Sequence, residues 1–329
     1  MARPVPADDP CRRAADEIKQ RRQAAKTVED ARAVVELAEQ ALLQCPRNWA
    51  VKSALAYAIH KAEIQLPASV GNVEVATLVA AVDRIRDCMA HGPYHSSSVF
   101  VIAVSDAVRA LLKLGTQRSK QEAIRLVLQV DTAQVSRTRT EQYPSHAERF
   151  FPAATSALDT DRQHRDALIA CCRAALAPGV FKTPSDSRWV TFRLAKALEE
   201  ASPGEALALL DGLPKDAWEE GMTSLYLRLL RRAGRDSEAL TIAKTHVKQL
   251  DFGKMEFAHG ILVDLLELLP GGRPQQSLAI FLQHYGLSKR RAGVDSRVNA
   301  LAASLALPVA TVVSDAKLVV MLNNLKDDL

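Results

Sequence analysis

A chain of 329 residues is long for one compact core. Its 48% apolar and 25% charged residues are the balance of a folded protein and exclude a largely disordered one. The formal charge of +5 is small for this length, so charge alone does not demand a nucleic-acid partner, and no apolar run reaches the ~20 residues that span a bilayer.

Residues 1–13 carry Pro4, Pro6 and Pro10 and lack both an apolar run and the form of a signal peptide, so they read as a flexible arm. Cys11, Cys45, Cys88, Cys171 and Cys172 follow no framework spacing. An odd count without a secretion signal predicts free thiols and a cytoplasmic location. No membrane partner is expected, and the sequence leaves the oligomeric state open.

Helical periodicity then takes over. Val28, Ala31, Val35, Ala38 and Leu42 fall on one face of a helix over 28–43, with Thr27 and Asp30 placed as a capping pair at its start. Leu55, Ile59, Ala62 and Leu66 repeat the stripe from Asn48-Trp49 until Pro67, where the missing amide predicts a helix end. Neither helix can bury its stripe alone, so the two predict an antiparallel hairpin joined through Pro46. Further helices are expected near 72–90, 96–114, 117–130, 145–158, 162–176, 186–201, 203–211, 214–233, 235–250, 254–269, 274–285, 294–306 and 314–325. Val99–Val104 has strand composition but flows into a helical pattern. Val309–Val313 and Leu318–Leu322 have the composition of a hairpin, yet no glycine turn joins them and helix is preferred there. The organisation expected is an arm over 1–13, stacked helix pairs over 14–293 and capping helices over 294–329.

A small residue recurs early in alternate helices, at Ala31, Ala76, Ala123, Ala167, Ala206, Ala239 and Ser277, with spacings of 33–47 residues. Such recurrence marks solenoids of helix pairs, because a small side chain is needed where two helices cross closely. In Leu225–Leu240, Gly234 and Ala239 stand where the tetratricopeptide repeat has its turn glycine and later alanine. Ala41, Pro46 and Asn48 match the same family in the first unit. On these residues the chain resembles the tetratricopeptide family. Asp251 stands where that family has a closing proline, and His246 where it has a small residue. The resemblance implies an all-α fold, an irregular TPR-like α-solenoid of stacked antiparallel helix pairs, acting as a non-catalytic protein- or peptide-binding scaffold. Pro46, Asn48, Trp49, Ala56, Tyr57 and Lys61 are also similar to the first repeats of helical proteins in some bacterial nuclease-helicase conflict systems. That likeness implies the alternative, a nucleic-acid-binding solenoid.

Motifs for chemistry are missing. His91 and His95 are four apart but separated by Gly92-Pro93, so they cannot share a helix face, and no metal or cofactor is expected. Neither a phosphate-cradling glycine loop nor a serine-nucleophile turn occurs; Gly271-Gly272-Arg273 reads as a linker and Ser96-Ser97-Ser98 as a helix start. Basic clusters remain: Arg12-Arg13 with Lys19 to Arg22, Arg137 with Arg139, and Lys289 to Arg291. The candidate binding set is Arg193, Lys196, Arg228, Arg231 and Arg232. The three last lie off the stripe of Met222, Leu225, Leu229 and Ala233 and are expected in water. Trp189 and Trp218 read as core anchors.

Overall fold

The computed structural model describes residues 9–71, 73–90, 98–137, 145–181, 184–215, 218–289 and 296–329. His91, His95, Ser96, Ser97, Arg139, Arg290 and Arg291 lie outside these residues, as do residues 1–8 of the arm expected over 1–13. Every regular element among the described residues is a helix. The chain divides into two compact units, 1–194 and 195–329.

In the first unit, α1 spans Pro10–Ala24, so the last residues of the expected arm are helical. The cause is local. The Asp9 side chain accepts the Cys11 amide at 2.9 Å, and Pro10 supplies the fixed φ of a first helical position. Helix α2 (Val28–Gln44) opens with the capping box foreseen in Thr27 and Asp30. Asn48 caps α3 (Trp49–Ile59) by accepting the Val51 amide at 3.2 Å. The chain does not stop before Pro67. It widens into a π-helical turn over His60–Gln65, in which the Leu66 amide donates to the Lys61 carbonyl five residues back, and continues as α4 (Leu66–Val70). The wider turn accommodates a proline that would otherwise leave an α-helical hydrogen bond unmade. Gly71 then ends the helix in the left-handed region, at φ 74°.

The unit continues with α5 (Val75–Met89), α6 (Ser98–Leu114), α7 (Gln117–Leu128), α8 (Thr132–Arg137), α9 (Ser145–Leu158) and α10 (Arg165–Ala175). Val99–Val104 is helical, inside α6. Helix α3 packs against α1, α2 and α5, and α6 packs against α5, α7 and α9. Cys11 and Cys45 form a disulfide that ties the start of α1 to the end of α2, beside buried Ala15 and Val51. This corrects the expectation of five free thiols, since only Cys88, Cys171 and Cys172 are free. A separation of 34 residues gave no pairing signal in sequence; folding α1 back along α2 creates it.

Helix α11 (Pro184–Leu198) carries the boundary between the units. The second unit holds α12 (Pro203–Asp211), α13 (Glu220–Arg232), α14 (Asp236–Gln249), α15 (Met255–Leu268), α16 (Arg273–Ser288), α17 (Ser296–Ser304) and α18 (Asp315–Asp328). Helix α13 packs against α12, α14 and α15, and α16 against α15, α17 and α18. Gly234, at φ 72°, closes α13: the Arg235 amide returns to the Leu230 carbonyl at 2.9 Å. Leu318–Leu322 lies in α18, but Val309–Val313 is a non-helical connection, against the helix preferred from sequence. Pro308 and the β-branched residues at Val309 and Thr311 to Val313 disfavour a helix. Side chains of α16 satisfy this backbone instead: Ser288 Oγ accepts the Val313 amide at 2.9 Å, and His284 Nδ1 lies 2.6 Å from the Thr311 carbonyl.

The small-residue positions sort by burial. Ala31, Ala123, Ala206 and Ala239 are buried, Ala167 and Ser277 are half-buried, and Ala76 is exposed. Ala239 is fully buried on α14, which packs against α13 and α15. Ala239→Leu is therefore expected to overpack this crossing and lower stability by about 1–3 kcal/mol. Thermal unfolding checks it; an unchanged melting temperature would show spare volume at that position.

Candidate functional site

The candidate cations do not form an open basic face. Arg193 belongs with the first unit and Lys196, Arg228, Arg231 and Arg232 with the second. Arg193 is half-buried, and its Nη1 donates to Thr155 Oγ1 at 3.0 Å; desolvation pushes its guanidinium pKa down, against the opposing charge of Asp159. Lys196 is exposed. On α13, Arg228 is only 36% exposed, and its Nε donates to Glu199 Oε1 at 2.9 Å. Arg231 pairs with Glu267, and Arg232 donates to the Glu199 carbonyl at 2.5 Å. These arginines do lie off the apolar stripe, but Glu199 in the turn after α11 and Glu267 on α15 claim them. Ala233, counted in that stripe from sequence, is exposed, because the helix has ended there.

Beneath them Asp264 of α15 is 1% exposed and accepts from Ser224 Oγ at 2.5 Å. Arg228 Nη1 reaches the same serine at 2.9 Å and stands 4.0 Å from Asp264. Burial pushes the Asp264 carboxyl up, and the Ser224 hydrogen bond with Arg228 and Arg297 only partly offsets it. Burial acts the same way on Glu199, but there the Arg228 hydrogen bond and charge win and hold it below the carboxylate range. This is a structural polar network. The tryptophans divide: Trp189 is 38% exposed beside Phe192, against the core anchor expected, while Trp218 packs edge-on against buried Tyr226 at 4.8 Å between ring centres, in keeping with that expectation.

Two concavities in the first unit are better candidates. The larger, about 910 Å³, lies between α2, α3 and α5. Leu55 and Ile59 form its floor, Leu42 and Leu43 one wall, and Glu36, Glu39, Lys52, Arg84 and Asp87 its charged edge. Leu43 is 84% exposed, a large apolar side chain with no cover of its own. Arg84 is held by Glu39 at 2.8 Å and by Glu63, which fixes the α5 edge against α2 and the π turn. Cys88 also lines the groove, and burial pushes its thiol pKa up.

The second concavity, about 510 Å³, lies where the π turn and α4 face α6 and α9. At its base His60 Nε2 is 3.1 Å from Asp106 Oδ2, with side-chain exposures of 8% and 16%. Arg149 Nη2 donates to Asp106 Oδ1 at 3.2 Å, and Arg109 Nη2 donates to the Arg149 carbonyl at 2.8 Å. Burial alone would raise the Asp106 carboxyl; the His60 hydrogen bond and the Arg149 charge override it and hold it low.

No family model, curated protein or solved structure matches the chain.

Among the described residues no three His, Cys, Asp or Glu side chains gather as a metal set, and no helix is long and apolar enough to cross a membrane. The sequence marks Leu42, Leu55 and Ile59 as helix stripe, Pro46 as a turn residue and Cys88 as a thiol, but none of the concavity residues as a binding candidate. The exposed Leu43 carried a signal, lying one residue beyond the stripe that ends at Leu42. The joining of Asp106 to His60 carried none, because it depends on the π turn.

Proposed function

We propose that this protein is a non-catalytic, tetratricopeptide-like helical-repeat scaffold that binds a peptide segment of a protein partner between α2, α3 and α5. Helices that pack on their nearest and next-nearest neighbours, as α3 does on α5 and α13 on α15, support the repeat reading. The observation that carries the binding reading is the groove itself. A volume of about 910 Å³ with an apolar floor and a charged edge suits one bulky apolar anchor of a helical or extended peptide. Glu36, Glu39 and Asp87 outnumber Lys52 and Arg84 on that edge, which favours a basic residue beside the anchor. The alternative, nucleic acid, calls for a stripe of unclaimed cations, and the arginines of α13 are engaged by Glu199 and Glu267.

Peptides selected by display against the immobilised protein are expected to bind wild type and to lose about tenfold or more in affinity to Leu43→Asp. Melting should be unchanged, because Leu43 is almost fully exposed. The affinity is expected to vary little with salt. Equal binding by Leu43→Asp would remove the groove. Tight binding of single-stranded nucleic acid, falling with a slope of about −0.7 per phosphate contact on a log–log salt plot, would replace the peptide reading.

A further inference from the structure

We propose that the 510 Å³ cavity between the π turn, α4, α6 and α9 is a binding site for a small organic phosphate with an aliphatic body, separate from the peptide groove. Its cations are Arg109 and Lys113 on α6 and Arg149 on α9, with Asp106 as the carboxylate among them. Arg109 and Lys113 are four residues apart, so they rise from the same face of α6 one turn apart. Three positive charges against one negative leave two in excess, which matches the dianion of a phosphate monoester and exceeds what a carboxylate needs.

Part of this donor set is open to a ligand. Asp106 is occupied, its oxygens accepting from Arg149, facing His60 and standing 3.8 Å from Arg109 Nη1, so its single charge is spread over Arg149 and Arg109 and leaves Lys113 unclaimed. Arg149 uses Nη2 on Asp106, and Arg109 uses Nη2 on a carbonyl with Nη1 only in a long 3.8 Å ion pair to Asp106, so both guanidinium forks keep N–H groups for oxygen acceptors. Lys113 is exposed and makes no ion pair among the described residues. Such clustering of like charge is costly unless an anion relieves it, and half-exposed arginines fixed at one end are partly preorganised to do so.

The apolar part of the lining, on α6 beside the cations and on the α4 side, sets the body of the ligand. Ala68, Val73, Ala110 and Leu114 are aliphatic, and among the described residues no aromatic ring lines the cavity to stack a base. The volume lies within the range of about 300–1,000 Å³ that holds a small molecule. The π turn builds the site: it carries the chain past Pro67 into α4 and sets buried His60 against Asp106, so the carboxylate is committed before any ligand arrives.

The test is calorimetric titration of the full chain with n-butyl phosphate, inorganic phosphate and butyrate, at low and high salt. n-Butyl phosphate is expected to bind saturably with one site, more tightly than inorganic phosphate, which lacks the aliphatic body, and more tightly than butyrate, which is a monoanion. Lys113→Gln, which breaks no ion pair among the described residues, is expected to weaken n-butyl phosphate about tenfold, and Arg109→Gln by a similar factor. Leu43→Asp is expected to leave this affinity unchanged, which separates this site from the peptide groove. No saturable binding at millimolar phosphate, butyrate binding as tightly as n-butyl phosphate, or Lys113→Gln binding like wild type would each overturn the proposal.

Discussion

Removing the Cys11–Cys45 disulfide is expected to lower the stability of the first unit by about 4 kcal/mol. The loop it closes spans 34 residues, and on the chain-entropy account that cross-link denies the unfolded chain this much freedom. The folded side has little to substitute. Helix α1 buries only Ala15 and Ile18, and its remaining ties are polar, such as Lys61 Nζ donating to the Arg22 carbonyl at 2.6 Å. The Cys11→Ser, Cys45→Ser double variant should therefore melt about 10 °C lower than the oxidised wild type. A thiol titration supplies the control. Denatured without reductant, the chain should show three thiols, those of Cys88, Cys171 and Cys172. In the native state Cys171 and Cys172 should not react, since burial removes access and pushes the Cys171 thiol up to about 12. Five thiols in the unreduced denatured chain, with no melting difference, would contradict the cross-link.

Arg228→Ala is expected to cost about 2 kcal/mol, more than a surface arginine should. The usual cost of stranding one partner of a buried pair is about 3–5 kcal/mol, reduced here because the Arg228 head is a third exposed. The loss comes from what stays behind: Asp264 is buried with one fewer cation, and Glu199 loses its strongest partner. The pH dependence follows from the signs. The raised Asp264 pKa means that its ionised form opposes folding once pH rises past its folded value, and removing Arg228 raises it further. The depressed Glu199 pKa means that its contribution is present at neutral pH and fades as pH falls through the carboxylate range. Both effects make the penalty of Arg228→Ala larger at pH 7 than at pH 4. Asp264→Asn should stay within about 1 kcal/mol of wild type, because it removes the buried charge and keeps an acceptor for Ser224. Denaturant unfolding at the two pH values checks this; a cost independent of pH would show that Arg228 acts through packing alone.

Local signals in the sequence were faithful where the physics is local. The Thr27–Asp30 capping box, the Gly234 turn and the burial of Ala239 each depend on a few neighbouring residues, and each appears where spacing placed it. The departures have tertiary causes. Pro67 reads as a stop, yet a π turn absorbs it. Val309–Val313 reads as helix once a hairpin is set aside, yet α16 supplies partners for an extended path. Arg228 reads as a solvated cation, since periodicity gives the face of α13 but not the acids that α15 and the turn after α11 bring to it. The concavities were the least legible of all. Each joins residues from three or more helices, and Leu43 or Lys113 alone is an ordinary surface residue.

Protection of Cys88 tests the central claim most directly. This thiol lines the groove between α2, α3 and α5 and is half-buried, so its alkylation reports whether the groove is filled. With a display-selected peptide at saturation, the alkylation rate of Cys88 at about pH 8.5 should fall at least tenfold in wild type and recover in Leu43→Asp. An unchanged rate in the presence of a bound peptide would place the binding surface elsewhere and contradict the groove as the site of partner recognition.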